Sequence, residues 1–323
     1  MAHDLQQLTQ PRVLVVGDVV LDEYLFGTAT RLSREAPIPV LEFERRLVLP
    51  GGAANPAHNI AALGAPVMLG SVVGDDPEGR QLLDLLTTAG VEPRCVLIDP
   101  TRPTTVKTRI VTEGLLRFPQ QIARIDRISR TPIHPRIGAS LGALLCNEAV
   151  CVEAVLCSDY LSGLLTPELV AQLIAECRAH KVLVTVDAQG ELAKYRGASL
   201  LRCNNHEAQH HLGRTLLSED DFRDACEAML HELEVELLIV TRGSAGLSIR
   251  GHDLPYTHIP SRRVEVADTT GAGDTFIAVM TLALAAGWQP VEAADLANHA
   301  AGLVVRRFGN AVLTLADLLT ESS

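Results

Sequence analysis

The sequence predicts an α/β protein: a doubly wound, mainly parallel sheet with helices on both faces, plus a small β-sheet lid. Apolar strand patterns alternate with helical patterns along most of the 323 residues, as is typical of parallel sheets covered on both sides. Residues 19–50 and 100–127 instead contain shorter segments that alternate polar and apolar residues, which predicts strands with one solvated side. We therefore expect residues 1–323 to form a single domain into which these two lid segments are inserted.

The N-terminal elements are predicted from short apolar runs and one amphipathic pattern. "RVLVVGD" (12–18) predicts a buried strand that ends at a turn, and "PVMLGSVVG" (66–74) predicts another strand. "ANPAHNIAALGA" (54–65) predicts a helix, because Pro56 falls in the first turn, where proline is tolerated. "GRQLLDLLTTAG" (79–90) predicts the next helix. Strands and helices thus alternate from the start of the chain.

The same alternation continues in the C-terminal part of the chain. Apolar strands are predicted at "VEAVLCSDY" (152–160), "KVLVTVDA" (181–188) and "VELLIVTRG" (235–243). Helical patterns lie between them, such as "TPELVAQLIAECRAH" (166–180). These strands extend the predicted parallel sheet.

The overall composition argues against several classes of protein. The net charge is −11 and there is no long basic run, so the basic footprint of a nucleic-acid reader is absent. Seven scattered cysteines form no CxxC pair, which indicates reduced thiols in a cytosolic protein. The N-terminus lacks the apolar core of a signal peptide, and no apolar stretch reaches membrane-spanning length without charges or breakers. We expect a cytoplasmic protein with no nucleic-acid or membrane partner.

The stretch "DTTGAGDTF" (268–276) places residues with little or no side chain where an apolar helix begins. Gly271, Ala272 and Gly273 allow close approach to the backbone, and the N–H groups of a helix N-terminus favour phosphate. Asp274 is then a candidate base aimed into this anion cradle. The alternative is a plain turn in which Asp274 only caps the helix.

A second glycine-containing stretch, "PGGAANPAHNIAALG" (50–64), also leads into a helix. Gly51 and Gly52 would let a polar ligand lie against the backbone, and Asn55 could bind ligand hydroxyls. The alternative is a helix entry that needs glycine conformations.

Two aspartates lie near the end of the first predicted strand, in "VVGDVVLDEY" (15–24). Ligands of open α/β sheets bind at the carboxyl ends of the strands. Asp18 and Asp22 are therefore candidates for hydroxyl recognition, with solvated loop carboxylates as the alternative.

Together these stretches resemble the ribokinase, or phosphofructokinase-B, family of sugar kinases. The order of landmarks fits from "VVGD" to "ANHAAGLVVRRFG" (297–309). Within the family, "SREAPIPV" (33–40) followed by "PGGAAN", together with "YRGASLL" (195–201), is most similar to the heptose 7-phosphate kinases of lipopolysaccharide-core biosynthesis. The resemblance implies a ribokinase-like fold and a homodimer formed through the lid.

The resemblance assigns the anion cradle a role in phosphoryl transfer. Asp274 would accept the proton of the sugar hydroxyl as that hydroxyl attacks the γ-phosphate of ATP. The N–H groups of Gly271, Ala272 and Gly273 would stabilise the charge that develops on the transferred group.

The resemblance also implies a nucleotide side. In "NNHE" (204–207), Asn204 and Glu207 would help place Mg²⁺ and the ATP phosphates. The rival interpretation is a metal site at His206 and His210, which lacks a fitting third ligand.

Further nucleotide contacts are implied later in the chain. Thr241, Gly243 and Gly246 in "VTRGSAG" (240–246) would approach the phosphates or ribose, with a simple β-turn as the alternative. Asn298 resembles the adenine-pocket position, with a polar helix-face residue as the competitor.

A monovalent cation, potassium, is also implied beside the anion cradle. Asp268 and Thr270 match the corresponding loop, with Arg307 and Gly309 near its second half. Backbone carbonyls supply most ligands of such sites, so the side chains encode the site only weakly.

A sugar phosphate carries a dianion that needs cations. Lys107 and Arg109 alternate in "TVKTRI", so both point to one face of a lid strand. Arg34 and Arg124 are further lid candidates. Solvated surface charge is the alternative for each of them.

Two departures from the family pattern affect the nucleotide side. Relatives often have Asp-Pro-Lys where this chain has Asp187-Ala188-Gln189, and Thr-Pro-Asn where it has Arg202-Cys203-Asn204. A lost lysine and a gained arginine suggest that Arg202 supplies the cation near the phosphates.

The expected function is therefore an ATP- and Mg²⁺-dependent kinase that phosphorylates the anomeric oxygen of D-glycero-β-D-manno-heptose 7-phosphate. The rivals are another sugar or nucleoside kinase with the same site, and a non-catalytic sugar-responsive binding module. Some heptose kinases are fused to a nucleotidyltransferase domain. This chain stops at Ser323, so we expect the kinase alone, with adenylyl transfer left to another protein.

Overall fold

The computed structural model describes residues 4–113, 119–262 and 264–320. Its strands are β1 Val13–Gly17, β2 Val19–Leu32, β3 Pro39–Gly52, β4 Val67–Val73, β5 Glu92–Ile98, β6 Val106–Thr112, β7 Gln120–Arg127, β8 Ala154–Ser158, β9 Leu183–Asp187, β10 Leu200–Asn204, β11 Leu237–Thr241, β12 Leu247–Gly251 and β13 Thr257–Ile259. Its α-helices are α1 Ala54–Ala62, α2 Pro77–Thr88, α3 Pro135–Ala149, α4 Pro167–His180, α5 Asn205–Leu212, α6 Glu219–Leu233, α7 Ala272–Ala285, α8 Pro290–Val304 and α9 Leu315–Thr320. Short 3₁₀ helices span Leu5–Thr9, Leu192–Tyr195 and Gly243–Ala245.

The central sheet has nine strands in the order β13-β12-β11-β10-β9-β8-β1-β4-β5. Every neighbouring pair is parallel except β11–β12 and β12–β13, which form an antiparallel edge. Buried clusters lie on both faces of the sheet, one including residues of α1, α7 and α8 and the other including residues of α3, α4 and α6. The predicted doubly wound, mainly parallel fold is confirmed. The antiparallel edge formed by β12 and β13 was not predicted.

The lid is a separate four-stranded sheet in the order β3-β2-β6-β7. It is mixed, because β2 pairs antiparallel with β3 but parallel with β6. β2 begins two residues after β1 ends, so the lid emerges from the carboxyl edge of the central sheet. The predicted small lid is confirmed, and its strands lie where the alternating patterns predicted them.

The carboxyl edge of the central sheet contains a point where the strand order reverses. β1 is flanked by β8 on one side and by β4 on the other, so the connections that leave β1 and β8 diverge. Such a switch point opens a crevice in which ligands of α/β folds bind. The chain segments around Asp18 and Tyr160 follow β1 and β8 directly, so they line this crevice.

A membrane-spanning segment is not found among the helices of residues 4–113, 119–262 and 264–320, since none is both long and apolar enough to cross a bilayer. α7 is the most apolar of these helices. Its apolar residues are accounted for by packing against α1, α8 and the sheet.

Candidate active site

Asp274 lies buried in the first turn of α7, with a hydrogen-bond donor on each carboxylate oxygen. Asn55 Nδ2 donates to Oδ2 at 2.6 Å, and the Tyr160 hydroxyl donates to Oδ1 at 2.6 Å. Burial raises the pKa of Asp274 to about 7, with a further upward contribution from the charge of Asp187. A carboxylate with a pKa near 7 is matched to general-base work at neutral pH.

The predicted anion cradle forms the start of the same helix. Gly271 is the N-cap residue, and its φ of 81° lies in the left-handed region that favours glycine. The Thr275 N–H closes the first turn on the Gly271 carbonyl at 2.9 Å, and the Ala272 N–H reaches the Thr269 carbonyl at 3.3 Å. The first turn, including Gly273, directs its remaining N–H groups outward beside Asp274, as an anion site requires.

A cleft of about 650 Å³ opens on one side of this helix start. Its lining includes seven residues that the sequence analysis singled out: Arg202, Thr241, Gly243, Gly246, Ala272, Gly273 and Asn298. Apolar side chains, among them Val264, Phe276 and Val305, cover much of the remaining wall. An apolar pocket with a few polar groups at one end suits a nucleotide base with its phosphates.

Arg202 links the cleft to the anion cradle. Its Nη1 donates to Asp187 Oδ1 at 2.6 Å and its Nη2 donates to Thr241 Oγ1 at 2.8 Å. A Cβ built on Gly273 would lie 3.0 Å from Arg202 Nη1, so the guanidinium packs against the first turn of α7. Arg202 thus places a guanidinium, paired with Asp187, beside the start of α7.

Asn204 and Glu207 form a reciprocal capping box at the start of α5. Asn204 Oδ1 accepts the Glu207 N–H at 3.0 Å, and Glu207 Oε2 accepts the Asn204 N–H at 2.6 Å. Burial raises the pKa of Glu207, and the charge of Asp187 raises it further. His206 and His210 are exposed on α5. Within the described part of the chain, no group of three or more His, Cys, Asp or Glu side chains could hold a metal ion.

The lid carries a buried ion pair and, beside the ring of Tyr160, a lysine. Arg109 Nη1 bonds to Asp22 Oδ1, and Asn310 Nδ2 donates to Asp22 Oδ2 at 2.5 Å. Lys107 Nζ lies 5.3 Å from the centroid of the Tyr160 ring. Burial lowers the pKa of Lys107, while the nearby carboxylate of Asp22 raises it. This group of polar side chains suits a phosphorylated, hydroxyl-rich ligand.

The other two predicted lid cations have different surroundings. Arg124 is the cross-strand partner of Arg109 and forms an exposed ion pair with Asp126 at 2.8 Å. Arg34 follows β2 at the far tip of the β2–β3 ribbon, roughly 40 Å along the strand from Asp22. Arg34 therefore lies far along the lid from Lys107, Arg109 and Arg124, the other three predicted lid cations.

Asp18 has a different environment from the one expected. Its carboxylate accepts the backbone N–H groups of Tyr160, Ser162 and Leu164 at 3.0–3.1 Å. Burial raises the pKa of Asp18, and these hydrogen bonds oppose the increase. Both oxygens of Asp18 are thus engaged in holding the loop after β8, rather than open to ligand hydroxyls.

The predicted glycine pair lies directly beneath Asp22. A Cβ built on Gly51 would come within 1.9 Å of Asp22 Oδ2, so only glycine leaves room for the ion pair. Gly52 has a φ of 57°, in the left-handed region. The alternative that these glycines serve the backbone geometry thus has direct support, although Asn55 beside them contacts Asp274.

The predicted cation loop is tied together by its aspartate. Asp268 Oδ1 accepts the Thr270 N–H and hydroxyl at 2.9 and 2.7 Å, and Oδ2 accepts the Gly309 N–H at 3.0 Å. Arg307 is directed elsewhere, to Asp317 at 2.5 Å. The two loops named in the sequence analysis are therefore adjacent, with the arginine outside them.

A comparison with protein-family models identifies the family of the chain. Residues 10–315 match the family model described as pfkB family carbohydrate kinase. The chain belongs to the pfkB family of carbohydrate kinases. The fold agrees with solved pfkB-type structures: the TM-score is 0.75 to the ribokinase of Arabidopsis thaliana complexed with ribose and ATP, at 21% identity over 97% of this chain and 98% of that chain. It is 0.78 to phosphofructokinase-2 from Escherichia coli in complex with potassium, at 19% identity over 96% and 97% of the two chains.

Curated pfkB relatives of higher identity carry a more specific name. The chain is 42% identical over 307 residues to the bifunctional protein HldE of Geobacter metallireducens, which covers 95% of this chain and 62% of that protein. It is 38% identical over 326 residues to HldE of Caulobacter vibrioides, which covers 100% of this chain and 66% of that protein. The chain thus spans less than two thirds of the length of these relatives.

Three residues of this pfkB site escaped the sequence analysis. Tyr160 follows β8 and Asp187 ends β9, so the strand-end rule that selected Asp18 could have selected both. Asn310 gave no such signal, because its bond to Asp22 joins residues 288 positions apart.

The buried carboxyl group of Asp274 makes the stability of this pfkB protein depend on pH. The folded pKa of Asp274, about 7, exceeds its ordinary value of 3.8, so folding favours the protonated form. The resulting stability is fully present below pH 4 and is lost as pH rises through 7. Asp274→Asn removes this loss, so we expect it to stabilise the protein on the order of 3 kcal/mol more at pH 8 than at pH 4. Urea titrations of both proteins at the two pH values test this, and an equal difference at both would contradict the raised pKa.

Proposed function

We propose that this protein is an ATP- and Mg²⁺-dependent kinase of D-glycero-β-D-manno-heptose 7-phosphate. It would transfer the γ-phosphate of ATP to the anomeric (C1) hydroxyl and give the 1,7-bisphosphate, a step toward ADP-heptose and lipopolysaccharide core. The observation that carries the proposal is the position of Asp274 between two chemically different regions. Ala272 and Gly273, next to Asp274 in α7, line the apolar cleft. Tyr160, which donates a hydrogen bond to Asp274, lies beside Lys107 of the lid, and the lid also carries the Asp22–Arg109 pair.

The proposed reaction needs a base, an anion site and in-line positioning. The sugar hydroxyl oxygen attacks the γ-phosphorus, its proton passes to Asp274, and the bond from that phosphorus to the bridging oxygen breaks to release ADP. The N–H groups of Gly271 and Gly273 and the guanidinium of Arg202 stabilise the charge on the transferred group, whereas the Ala272 N–H, which the sequence also predicted as a donor, is bonded to the Thr269 carbonyl at 3.3 Å. The hydrogen bonds that hold Asp274 leave further lone pairs on its oxygens for the incoming proton.

Mg²⁺ fits this site without a preformed cluster of ligands. Mg²⁺ usually keeps several waters and binds through one or two carboxylates plus substrate phosphates. Glu207 supplies a half-buried carboxylate close to Asp187 and Arg202, and Asn204 holds it in place through the capping box. When bound, the ion would neutralise charge on the ATP phosphates.

Potassium activation is a further part of the proposal. The loop of Asp268 and Thr270 lies next to Gly309, and backbone carbonyls of such adjacent loops can coordinate a monovalent cation. We expect faster turnover in potassium than in sodium buffer at equal ionic strength. Equal rates in the two buffers would remove potassium from the account.

The exposed apolar side chains of the lid suggest a homodimer, and we propose that this protein is cytoplasmic. Leu32, Phe43 and Ile125 expose 70%, 68% and 63% of their surface on the lid strands. Large apolar side chains exposed on one small sheet favour burial against a partner. We propose that the lids of two subunits pack together.

Substrate choice tests the proposed function directly. Initial rates of ADP formation with heptose 7-phosphate, unphosphorylated heptose, fructose 6-phosphate and ribose give kcat/KM for each. We expect heptose 7-phosphate to exceed the free heptose on the order of 100-fold, since charge-assisted hydrogen bonds to phosphate are strong. A preference for a free sugar would leave the family intact and refute the substrate, whereas no turnover despite ATP binding would favour a binding module.

A further inference from the structure

We propose that Tyr160 is a positioning residue for the phosphoryl transfer, whose hydroxyl keeps Asp274 aimed at the acceptor and ionised near neutral pH. The proposal rests on the proposed function, because it assigns Asp274 the role of base. It concerns a residue that neither the sequence motifs nor the family comparison singles out.

Two hydrogen bonds fix the orientation of the Asp274 carboxylate. The Tyr160 hydroxyl donates to Asp274 Oδ1 at 2.6 Å, while Asn55 donates to Oδ2 at 2.6 Å. With a donor on each oxygen, the carboxylate cannot rotate without breaking a buried hydrogen bond, which costs about 1–3 kcal/mol. The pair of donors therefore fixes the direction in which the remaining lone pairs point.

The phenol hydroxyl of Tyr160 stays protonated and therefore donates its hydrogen bond to Asp274. Burial raises the pKa of Tyr160 well above its ordinary value, and the negative charge of Asp274 raises it further. The hydroxyl is therefore a donor throughout the working pH range. A donor stabilises the ionised carboxylate and opposes the increase in the pKa of Asp274 that burial causes.

The loop that carries Tyr160 is fixed by several hydrogen bonds to buried side chains. Asp18 accepts the N–H groups of Tyr160, Ser162 and Leu164 at 3.0–3.1 Å. Leu161, next in sequence, has a φ of 55°, a conformation that costs a branched residue about 1 kcal/mol or more. Such strain persists only where the surroundings over-determine the backbone, which is a feature of functional sites.

A buried network fixes the other end of this turn. Asp159 Oδ1 accepts the Leu161 N–H at 2.8 Å. Asp159 Oδ2 receives the Tyr195 hydroxyl at 2.8 Å and pairs with Lys194 Nζ at 2.5 Å. The turn is thus anchored on both sides of Tyr160, and its phenol has a defined position.

The charged groups that face the Tyr160–Asp274 pair come from four strands. Asp187 on β9 and Asp22 on β2 are negative, and Arg202 on β10 and Lys107 on β6 are positive. Lys107 lies 5.3 Å from the ring centroid of Tyr160, so the phenol also connects the lid with the base. None of these four groups donates the hydrogen bond that Tyr160 gives.

The test is the pH profile of kcat/KM for Tyr160→Phe, which keeps the ring beneath Lys107 and removes only the hydroxyl. In the wild type we expect kcat/KM to rise through pH 7 to a plateau, because the base must be ionised. In the variant we expect this rising limb of the profile to shift to higher pH by about one pH unit. The plateau value of kcat/KM should stay within tenfold of the wild-type value. A limb at the unchanged pH, with a lower plateau, would overturn the proposal in favour of a merely structural role.

Tyr256→Phe is the matched control. It removes a phenol hydroxyl that bonds to Glu219 and to Ser248 Oγ at the antiparallel edge of the sheet. We expect its limb to coincide with the wild-type limb. Because ATP and the sugar phosphate titrate equally in both variants, the difference between their limbs reports on the enzyme alone.

Two further measurements keep the proposal testable if Tyr160→Phe does not fold, or if heptose 7-phosphate is not a substrate. Replacing the four tyrosines with 3-fluorotyrosine retains every hydroxyl but makes it a stronger donor, so the limb should move to lower pH. Carbon-13 NMR of labelled aspartate, assigned with Asp274→Asn, follows the Asp274 carboxyl without any substrate. An Asp274 titration unaffected by these changes overturns the role of Tyr160, whereas a shifted titration without heptose 7-phosphate turnover refutes only the substrate.

Discussion

Replacing Asp274 with asparagine is expected to lower kcat about 10³-fold while ATP binding is retained. Asparagine has nearly the same shape and can still contact Asn55 and Tyr160, but it cannot accept the proton of the sugar hydroxyl. The proposed nucleotide cleft is lined by Arg202, Thr241 and Phe276 rather than by Asp274, so the affinity for ATP should change little. Coupled ADP release gives kcat, and calorimetry gives the Kd for ATP.

Asp99→Asn is the matched control for this experiment. Asp99 is also a buried carboxylate, 2% exposed, and it caps its own turn through Thr101 at 2.6 Å. It follows β5 at the opposite edge of the sheet from the nucleotide cleft. We expect its kcat to stay within threefold of the wild type. If Asp274→Asn itself kept more than a tenth of the wild-type kcat, another group would be the base.

Replacing Lys107 with methionine is expected to raise the KM for the sugar phosphate on the order of 100-fold, with the KM for ATP unchanged within twofold. Lys107 is half-buried, and burial lowers its pKa, so an anion beside it would strongly favour the charged form. Methionine keeps the length and apolar stem of the side chain and removes only the charge. Initial-rate kinetics with each substrate varied in turn separate the two constants.

Lys181→Met serves as the control for loss of a lysine charge. Lys181 is exposed in the left-handed C-cap of α4, with a φ of 59°, just before β9 begins and thus at the amino edge of the sheet. Both KM values should remain at the wild-type level in this variant. A sugar KM that is also unchanged in Lys107→Met would remove Lys107 from the substrate site and weaken the case for a phosphorylated sugar.

The sheet and the lid were predictable because their signals are local. Apolar runs such as "RVLVVGD" became β1, and the alternating segments at 19–50 and 100–127 became β2, β3, β6 and β7. The helix start at Gly271 was also predictable, since Gly271 and Asp274 lie in one short motif whose residue types dictate a helix start. That this helix start binds an anion stays a prediction. In both cases the structural reason lies within a few residues of the signal.

The contacts of the proposed sugar side were less predictable because they depend on register and on distant packing. The alternation of Lys107 and Arg109 placed both on one face, but only the pairing of β2 with β6 sets Tyr24 opposite Arg109 and Asp22 opposite Lys107. The ion pair between Arg109 and Asp22 and the bond from Asn310 then complete the cluster. No local pattern encodes these partners.

Residues that follow strand ends show a different limit of sequence reasoning. The strand-end rule selected Asp18 as a ligand group, yet its oxygens bind three backbone N–H groups of the loop that carries Tyr160. The same rule applied to β8 would have selected Tyr160, which contacts the base directly. A sequence position can thus mark the crevice without telling which side chain faces the ligand and which supports the loop.

The central claim is transfer of a phosphoryl group to the anomeric oxygen of heptose 7-phosphate, and phosphorus-31 NMR of the product tests it most directly. After incubation with ATP, Mg²⁺ and heptose 7-phosphate, we predict a new sugar-phosphate signal split by coupling to the anomeric proton, in equal amount to the ADP formed. The 7-phosphate signal should remain. ADP formation in which inorganic phosphate gives the only new phosphorus signal besides those of ADP would contradict the account, and so would a new phosphate coupled to another sugar position.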